Sequence, residues 1–306
     1  MTAPDQDTAL AAAVALAREV GLDEPRLADR LEREDPRVAL AAELGALTSL
    51  LPEDPAPRIA RAAAELAAWA RGGIRLVTIR DAGYPDRLRQ VHDRPALLWM
   101  AGDEMLVGAS RAIAIVGSRR PSDHGLATAA SFATAFARAG FAVLSGLAAG
   151  IDTAAHRAAM AAGGRTVAVI GTGLEHIYPA ENAGLQAELA RDHALISAFW
   201  PRTGPAPEHF RRRNAVMSGL GLGTVIVEAS VRSGTRVQAR AALAHGRPVF
   251  LRRELLGQRW AAELAQRPGV HVVGSAADVL EIVEAGLDLG PLTAGPASHP
   301  PAAPEV

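Results

Sequence analysis

Short apolar runs alternate with alanine-rich stretches of helical length through the middle of this chain. The runs Ile113–Val116, Phe141–Leu144, Thr166–Ile170, Ala194–Ser197 and Thr224–Val227 are β-branched or apolar almost throughout, as strands covered on both faces are. Leu126–Ala139 and Thr153–Ala162 lie between them and are long enough for helices. Strand alternating with helix predicts an α/β fold, here a Rossmann-like, doubly wound, mainly parallel sheet. Ahead of it, Ala9–Val20, Glu24–Arg33, Arg37–Leu51 and Arg58–Arg71 carry apolar residues at helical spacing. Pro25 and Pro36 stand at helix starts, and Pro52, Pro55 and Pro57 mark a loop. A small helical N-terminal module is therefore expected. Arg75–Ile79 and Ala96–Met100 read as strands on either side of a turn at Gly83, Tyr84 and Pro85. The expected divisions are residues 1–72 for the helical module, 73–109 for an extension, 110–285 for the Rossmann-like domain and 286–306 for a disordered tail rich in Gly, Pro and Ala.

Four turns fall where the strands should end. They read AIVGSRRPSDHG, LSGLAAGID, VIGTGLEHIYPAEN and FRRRNAVMSGLGLGTVIVEA. Open α/β sheets bind ligands outside the carboxyl ends of their strands. Glycine there lets the backbone approach a ligand, and the N–H groups at the next helix start attract anions. Gly117, Gly146, Gly150, Gly171 and Gly173 fall in this zone, with Arg119, Arg120 and the Arg211–Arg213 run at the same edge. Any one turn is explained by ordinary chain reversal. Together with the arginines they describe a crevice for phosphates, suited to a nucleic acid strand more than to a small cofactor.

Charge sharpens this. The net charge of the 306 residues is −1, yet Arg191–Arg259 holds 12 arginines against 4 acidic residues, a local excess of 8 positive charges. A basic stretch inside a balanced protein suits a local polyanion site. The chain has no lysine, and abundant arginine and alanine reflect a GC-rich genome as readily as selection for forked phosphate contacts. It has no cysteine, which excludes disulfides and thiolate zinc sites. The histidines show no metal spacing, no Walker A, Gly-x-Ser-x-Gly or HExxH pattern occurs, and neither cofactor nor metal is expected. The N-terminus lacks a basic region followed by an apolar core, and no run is long enough to span a bilayer. The expectation is a cytoplasmic protein without a membrane partner.

The motifs themselves carry a resemblance. VGSR at Val116–Arg119, SGLAAGIDTAAH at Ser145–His156, GTGLEHIYPAEN at Gly171–Asn182, FRRRN at Phe210–Asn214 and VIVEASVRSGT at Val225–Thr235 resemble, in matching order, the DNA-processing protein A (DprA/Smf) family. The segment DAGYPDRLRQVHDRPALLWMAGD resembles that family's lead-in to its Rossmann-like domain. The resemblance implies a non-catalytic protein that binds single-stranded DNA, forms homodimers and loads the recombinase RecA during natural transformation or recombination. It places Gly117, Ser118 and Arg119, with neighbouring Arg120, on the phosphate-contacting turn. Ser145, Gly146 and Gly150 fall on the second glycine loop, and Phe210, Arg211, Arg212, Arg213 and Asn214 on the corner lining the groove. Ser233 and Gly234 fall on the late turn. Phe210, Phe199 and Trp200 are each candidates for base stacking or for core packing. The chain departs from the family pattern at Arg211, where a proline is usual, at Ala215, where an arginine is usual, at Ala198, where a glutamate is usual, and after Phe250, where LRRELLG replaces a V-P-G turn.

Two other readings share the scaffold. Asp152 and His156 lie four residues apart on one helix face, and Glu228 ends a strand at the crevice, so acid–base chemistry is conceivable there. The bland alternative makes Asp152 a helix-start residue with His156 as its partner. A phosphoribohydrolase-like protein would carry P-G-G-x-G-T-x-x-E where this chain has GLGLGTVIVE, without the proline or the paired glycines. A nucleotide-sensing domain would use the same glycines for one small phosphorylated ligand.

Overall fold

The computed structural model describes residues 3–19, 24–47, 54–108, 111–230 and 234–288. Residues 286–288 of the expected tail end the last helix, while the rest of that tail, Ser233, and the ends of two N-terminal helices lie outside them. The chain opens with four helices, α1 (Ala3–Glu19), α2 (Glu24–Arg33), α3 (Pro36–Leu47) and α4 (Ala56–Arg71), with Pro25 and Pro36 in first turns as predicted and Pro57, expected in a loop, in the first turn of α4. The extension follows as β1 (Ile74–Thr78), α5 (Asp86–Arg89), β2 (Leu97–Gly102) and α6 (Glu104–Val107). Alternation then sets in with β3 (Ala112–Val116), α7 (Asp123–Arg138), β4 (Ala142–Ser145), α8 (Ile151–Ala161), β5 (Thr166–Val169), α9 (Ala183–Asp192), β6 (Ala194–Ser197), α10 (Pro207–Leu220) and β7 (Thr224–Ile226). It ends with α11 (Thr235–Ala244), β8 (Val249–Arg252), α12 (Arg259–Ala265), β9 (Val270–Val273) and α13 (Ala276–Asp288).

All nine strands form one sheet in the order β1-β2-β6-β5-β4-β3-β7-β8-β9. From β3 the chain winds outward through β4, β5 and β6, then returns to the other side of β3 for β7, β8 and β9, all parallel. The fold is thus doubly wound, with its reversal at β3. Both faces are covered, so β3 to β8 are buried at every position. Side chains alternate between two cores: Ile113, Ile115, Val143, Val225 and Phe250 meet α7, α8 and α13, while Ala114, Val116, Leu144 and Leu251 face the other layer.

The extension adds the two antiparallel strands at the sheet's end, β2 pairing Trp99 with Ser197 of β6. The N-terminal helices cover this end. Trp99 lies 4.9 Å from Trp69 of α4 and 5.5 Å from Trp200, ring centre to ring centre, and the Arg18 guanidinium sits 4.8 Å above Trp200. Arg94 pairs with Asp29 and Glu32, and Arg80 donates to the carbonyls of Leu31 and Glu34. Trp200 therefore belongs to this packing and not to a stacking surface.

Candidate nucleic-acid interface

Four loops meet at the carboxyl ends of β3, β4 and β5. The turn after β3 lies flat on the start of α8 because Gly117 has no side chain: a Cβ there would stand 2.5 Å from Ile151 Cγ1. Ser118 O accepts from Ile151 N at 3.1 Å, and Ser118 Oγ accepts from Arg120 N at 3.1 Å. The loop after β4 reaches α8 through Gly150, whose φ of +80° suits glycine and whose missing Cβ makes room for Ser118 O and Pro121. Asn182 holds this loop from the far side, donating to Leu147 O at 2.9 Å.

Between these loops and α10 lies a cleft of about 180 Å³. Arg119 stands on one wall, Phe210 and Tyr178 on another, and Gly171 and Thr172 line it near Glu181. Gly171 permits the closeness, since a Cβ there would lie 2.9 Å from the Phe210 ring. The Phe210 and Tyr178 ring centres are 5.7 Å apart, and the Arg119 guanidinium lies 5.4 Å from the centre of Phe210. Arg119, Arg120 and Arg211 are exposed, Tyr178 is 36% exposed and Phe210 half-buried. Two aromatic faces beside exposed cations suit a base and its phosphate.

Beneath the cleft the polar groups are committed to one another. Arg213 is buried, and its Nη1 donates to Gly146 O at 2.7 Å and Val169 O at 3.0 Å, joining the ends of β4 and β5. Its Nε donates to Asn214 Oδ1 at 3.0 Å. Gly146 has no side chain because the Arg213 guanidinium occupies that space. Asp152 Oδ2 accepts from Gly146 N at 3.1 Å and Ala148 N at 3.3 Å. Burial pushes the Asp152 carboxyl up, against the charge of Arg213 and these amides, and burial likewise pushes Arg213 down against Asp152. Both shifts come from lost water, and the two charges offset that cost for each other.

A model of the DNA recombination-mediator protein A family matches residues 75–284. The chain belongs to that family. Among curated relatives of this family, the DNA processing protein DprA of Bacillus subtilis is 38% identical over 71% of this chain and 73% of its own length. Among solved structures, DNA processing protein A of Streptococcus pneumoniae superposes with a TM-score of 0.69 at 30% identity, over 88% of this chain and 95% of that one. DNA processing protein A of Helicobacter pylori, whose structure was described for its single-stranded DNA binding mode, shares the fold at 24% identity and a TM-score of 0.59, over 70% and 96% of the two chains.

Of the residues picked out from the sequence, Arg119, Gly146 and Phe210 line the cleft, with Gly117, Ser118 and Gly150 shaping its rim. Ser145 is fully buried and donates to Ile115 O at 2.7 Å, binding β4 to β3. Asn214 is buried as well, and Arg212 turns away to Ala198 O and over Phe199. Phe199 is buried beside His209, which removes it as a stacking face. Gly234 starts α11, outside the cleft lining. The basic stretch does not form one cationic face: Arg191, Arg202, Arg252 and Arg259 pair with Asp192, Glu175, Glu254 and Glu263. Two of those acids, Glu175 and Glu263, lie outside Arg191–Arg259, so the charge count over that stretch omits them. Tyr178 was missed, although an aromatic before a proline in the third glycine turn was a readable signal.

The acid–base candidates also resolve differently. His156 does not partner Asp152; its Nδ1 meets Thr166 Oγ1 at 2.7 Å, and burial holds its pKa down to about 3. Glu228 accepts from the backbone N and Oγ of Ser122, bridging the loops after β7 and β3.

Proposed function

We propose that this chain is a cytoplasmic, non-catalytic mediator that holds single-stranded DNA across the carboxyl ends of β3, β4 and β5. The observation that carries the reading is the pairing of exposed Arg119 with the Phe210 and Tyr178 faces in one cleft. Arg119, Arg120 and Arg211 take phosphates, Phe210 and Tyr178 stack bases, and the backbone of Gly117 and Ser118 lines the phosphate path. Arg213 acts from below by fixing the loop ends. Commitment of Asp152, His156 and Glu228 to internal partners supports binding over catalysis. Membership among recombination mediators supports RecA as the recipient of the strand. A homodimer formed near the late strands fits the exposed Val272 on β9, the strand at that end of the sheet. No helix of the described residues is long and apolar enough to cross a membrane.

A labelled oligo-dT strand titrated by fluorescence anisotropy, beside a duplex of equal length, tests this at two salt concentrations. Tighter, salt-sensitive binding of the single strand is expected. Absence of binding by folded protein at low salt would transfer the cleft to a small nucleotide, for which Glu181 offers an acceptor toward an exocyclic amine or ribose hydroxyl.

A further inference from the structure

We propose that His92, Asp93 and His245 form a site for a zinc-class divalent cation that ties the extension to the end of α11. The three come from segments 152 residues apart, and one ligand atom from each lies within 4.8 Å of the others. No spacing in the sequence announces them.

The hydrogen bonds around His245 suit a ligand role. His245 caps α11, and its side chain is 1% exposed. Its Nδ1 lies 2.8 Å from Ser218 Oγ, and that hydroxyl donates to Ala215 O at 3.0 Å. With the Ser218 hydroxyl aimed at Ala215 O, Nδ1 donates to Ser218 and Nε2 turns its lone pair toward Asp93 Oδ1, 2.7 Å away, leaving both atoms free to ligate one cation.

A third group completes the set. His92 stands edge-on to His245, ring centres 5.4 Å apart, and it is exposed. Two imidazoles and a carboxylate match the donor set of zinc. Magnesium and calcium prefer oxygen ligands alone. A tetrahedral zinc spaces its ligand atoms by roughly 3.3 Å, given bonds of about 2.0–2.1 Å. His245 and Asp93 need to part slightly, and the exposed His92 arm needs to close. A water takes the fourth position on the solvent side. Ser218 and Ala215 supply the outer hydrogen bonds that fix the ring of a ligating histidine. Ser218 lies two turns along α10 from Phe210, about 12 Å at 1.5 Å per residue, so the site is separate from the cleft.

The test uses full-length, tag-free protein stripped with EDTA, titrated with zinc chloride against a chromogenic zinc chelator. Thermal unfolding is followed with and without zinc. One zinc per chain is expected, with a rise in Tm on zinc addition. His92→Ala, an exposed change, should weaken zinc binding at least tenfold and abolish the zinc-dependent rise while leaving Tm in EDTA unchanged. Ser218→Ala should weaken binding roughly 10–100-fold. Equal zinc binding by wild type and His92→Ala overturns the proposal. So does absence of zinc binding by wild type, which would leave His245 and Asp93 as a plain hydrogen-bonded pair.

Discussion

Arg211, Arg212 and Arg213 are neighbours in sequence and face three environments, because successive helix positions turn by about 100°. Arg211 meets solvent, Arg212 lies over Phe199, and Arg213 is buried against two strand ends. The sequence marks arginines at the crevice edge but not their directions, since the helix phase depends on where α10 starts. Arg213→Ala strands the carbonyls of Gly146 and Val169 and leaves Asp152 without its countercharge. It should therefore cost about 3–5 kcal/mol of folding stability, read by urea denaturation; a variant of wild-type stability would remove its bracing role. Phe210→Ala should weaken oligo-dT binding by about 1–3 kcal/mol while leaving the salt slope unchanged. A lost slope instead would mark Phe210 as a support for Arg119 and not a stacking face.

Elements were legible where the apolar run was long enough, as in the run predicting β6 at Ala194–Ser197. β8 and β9 were missed because Arg252 and His271 break short runs near the sheet's end. The antiparallel pairing of β2 with β6 was invisible, since nothing local encodes a partner nearly a hundred residues away. The tie between α8 and β5 through His156 and Thr166 makes a pH prediction. The folded pKa of about 3 lies below the usual value of 6.5, so the unfolded chain takes the proton first. The stabilisation is complete above pH 6.5 and is lost as pH falls toward 3, at up to about 1.4 kcal/mol per pH unit. Denaturation at pH 7 and pH 5 should show His156→Gln losing less stability on acidification than wild type. Equal losses would contradict a buried, neutral His156.

The whole molecule joins a helical module to a sheet through aromatic packing that composition does not reveal, with Trp69, Trp99 and Trp200 drawn from three distant segments. Trp69→Ala should lower stability by about 2–3 kcal/mol and alter tryptophan emission of the folded protein; unchanged thermal unfolding would mean that the module contributes little to the sheet. Charge was the least reliable guide at this scale. Of the 12 arginines over Arg191–Arg259, Arg191, Arg202, Arg252 and Arg259 are in ion pairs and Arg213 is buried, and the exposed cations that matter include Arg119 and Arg120, outside that window. The central claim is that a single strand lies over β3–β5 with a phosphate on Arg119, and the salt dependence of oligo-dT affinity tests it most directly when wild type and Arg119→Ala are measured side by side. Weaker binding by the variant, with a log–log slope shallower by about 0.7, is the expected result for one lost phosphate contact on a single strand. Equal affinity and equal slope in the two proteins would contradict it.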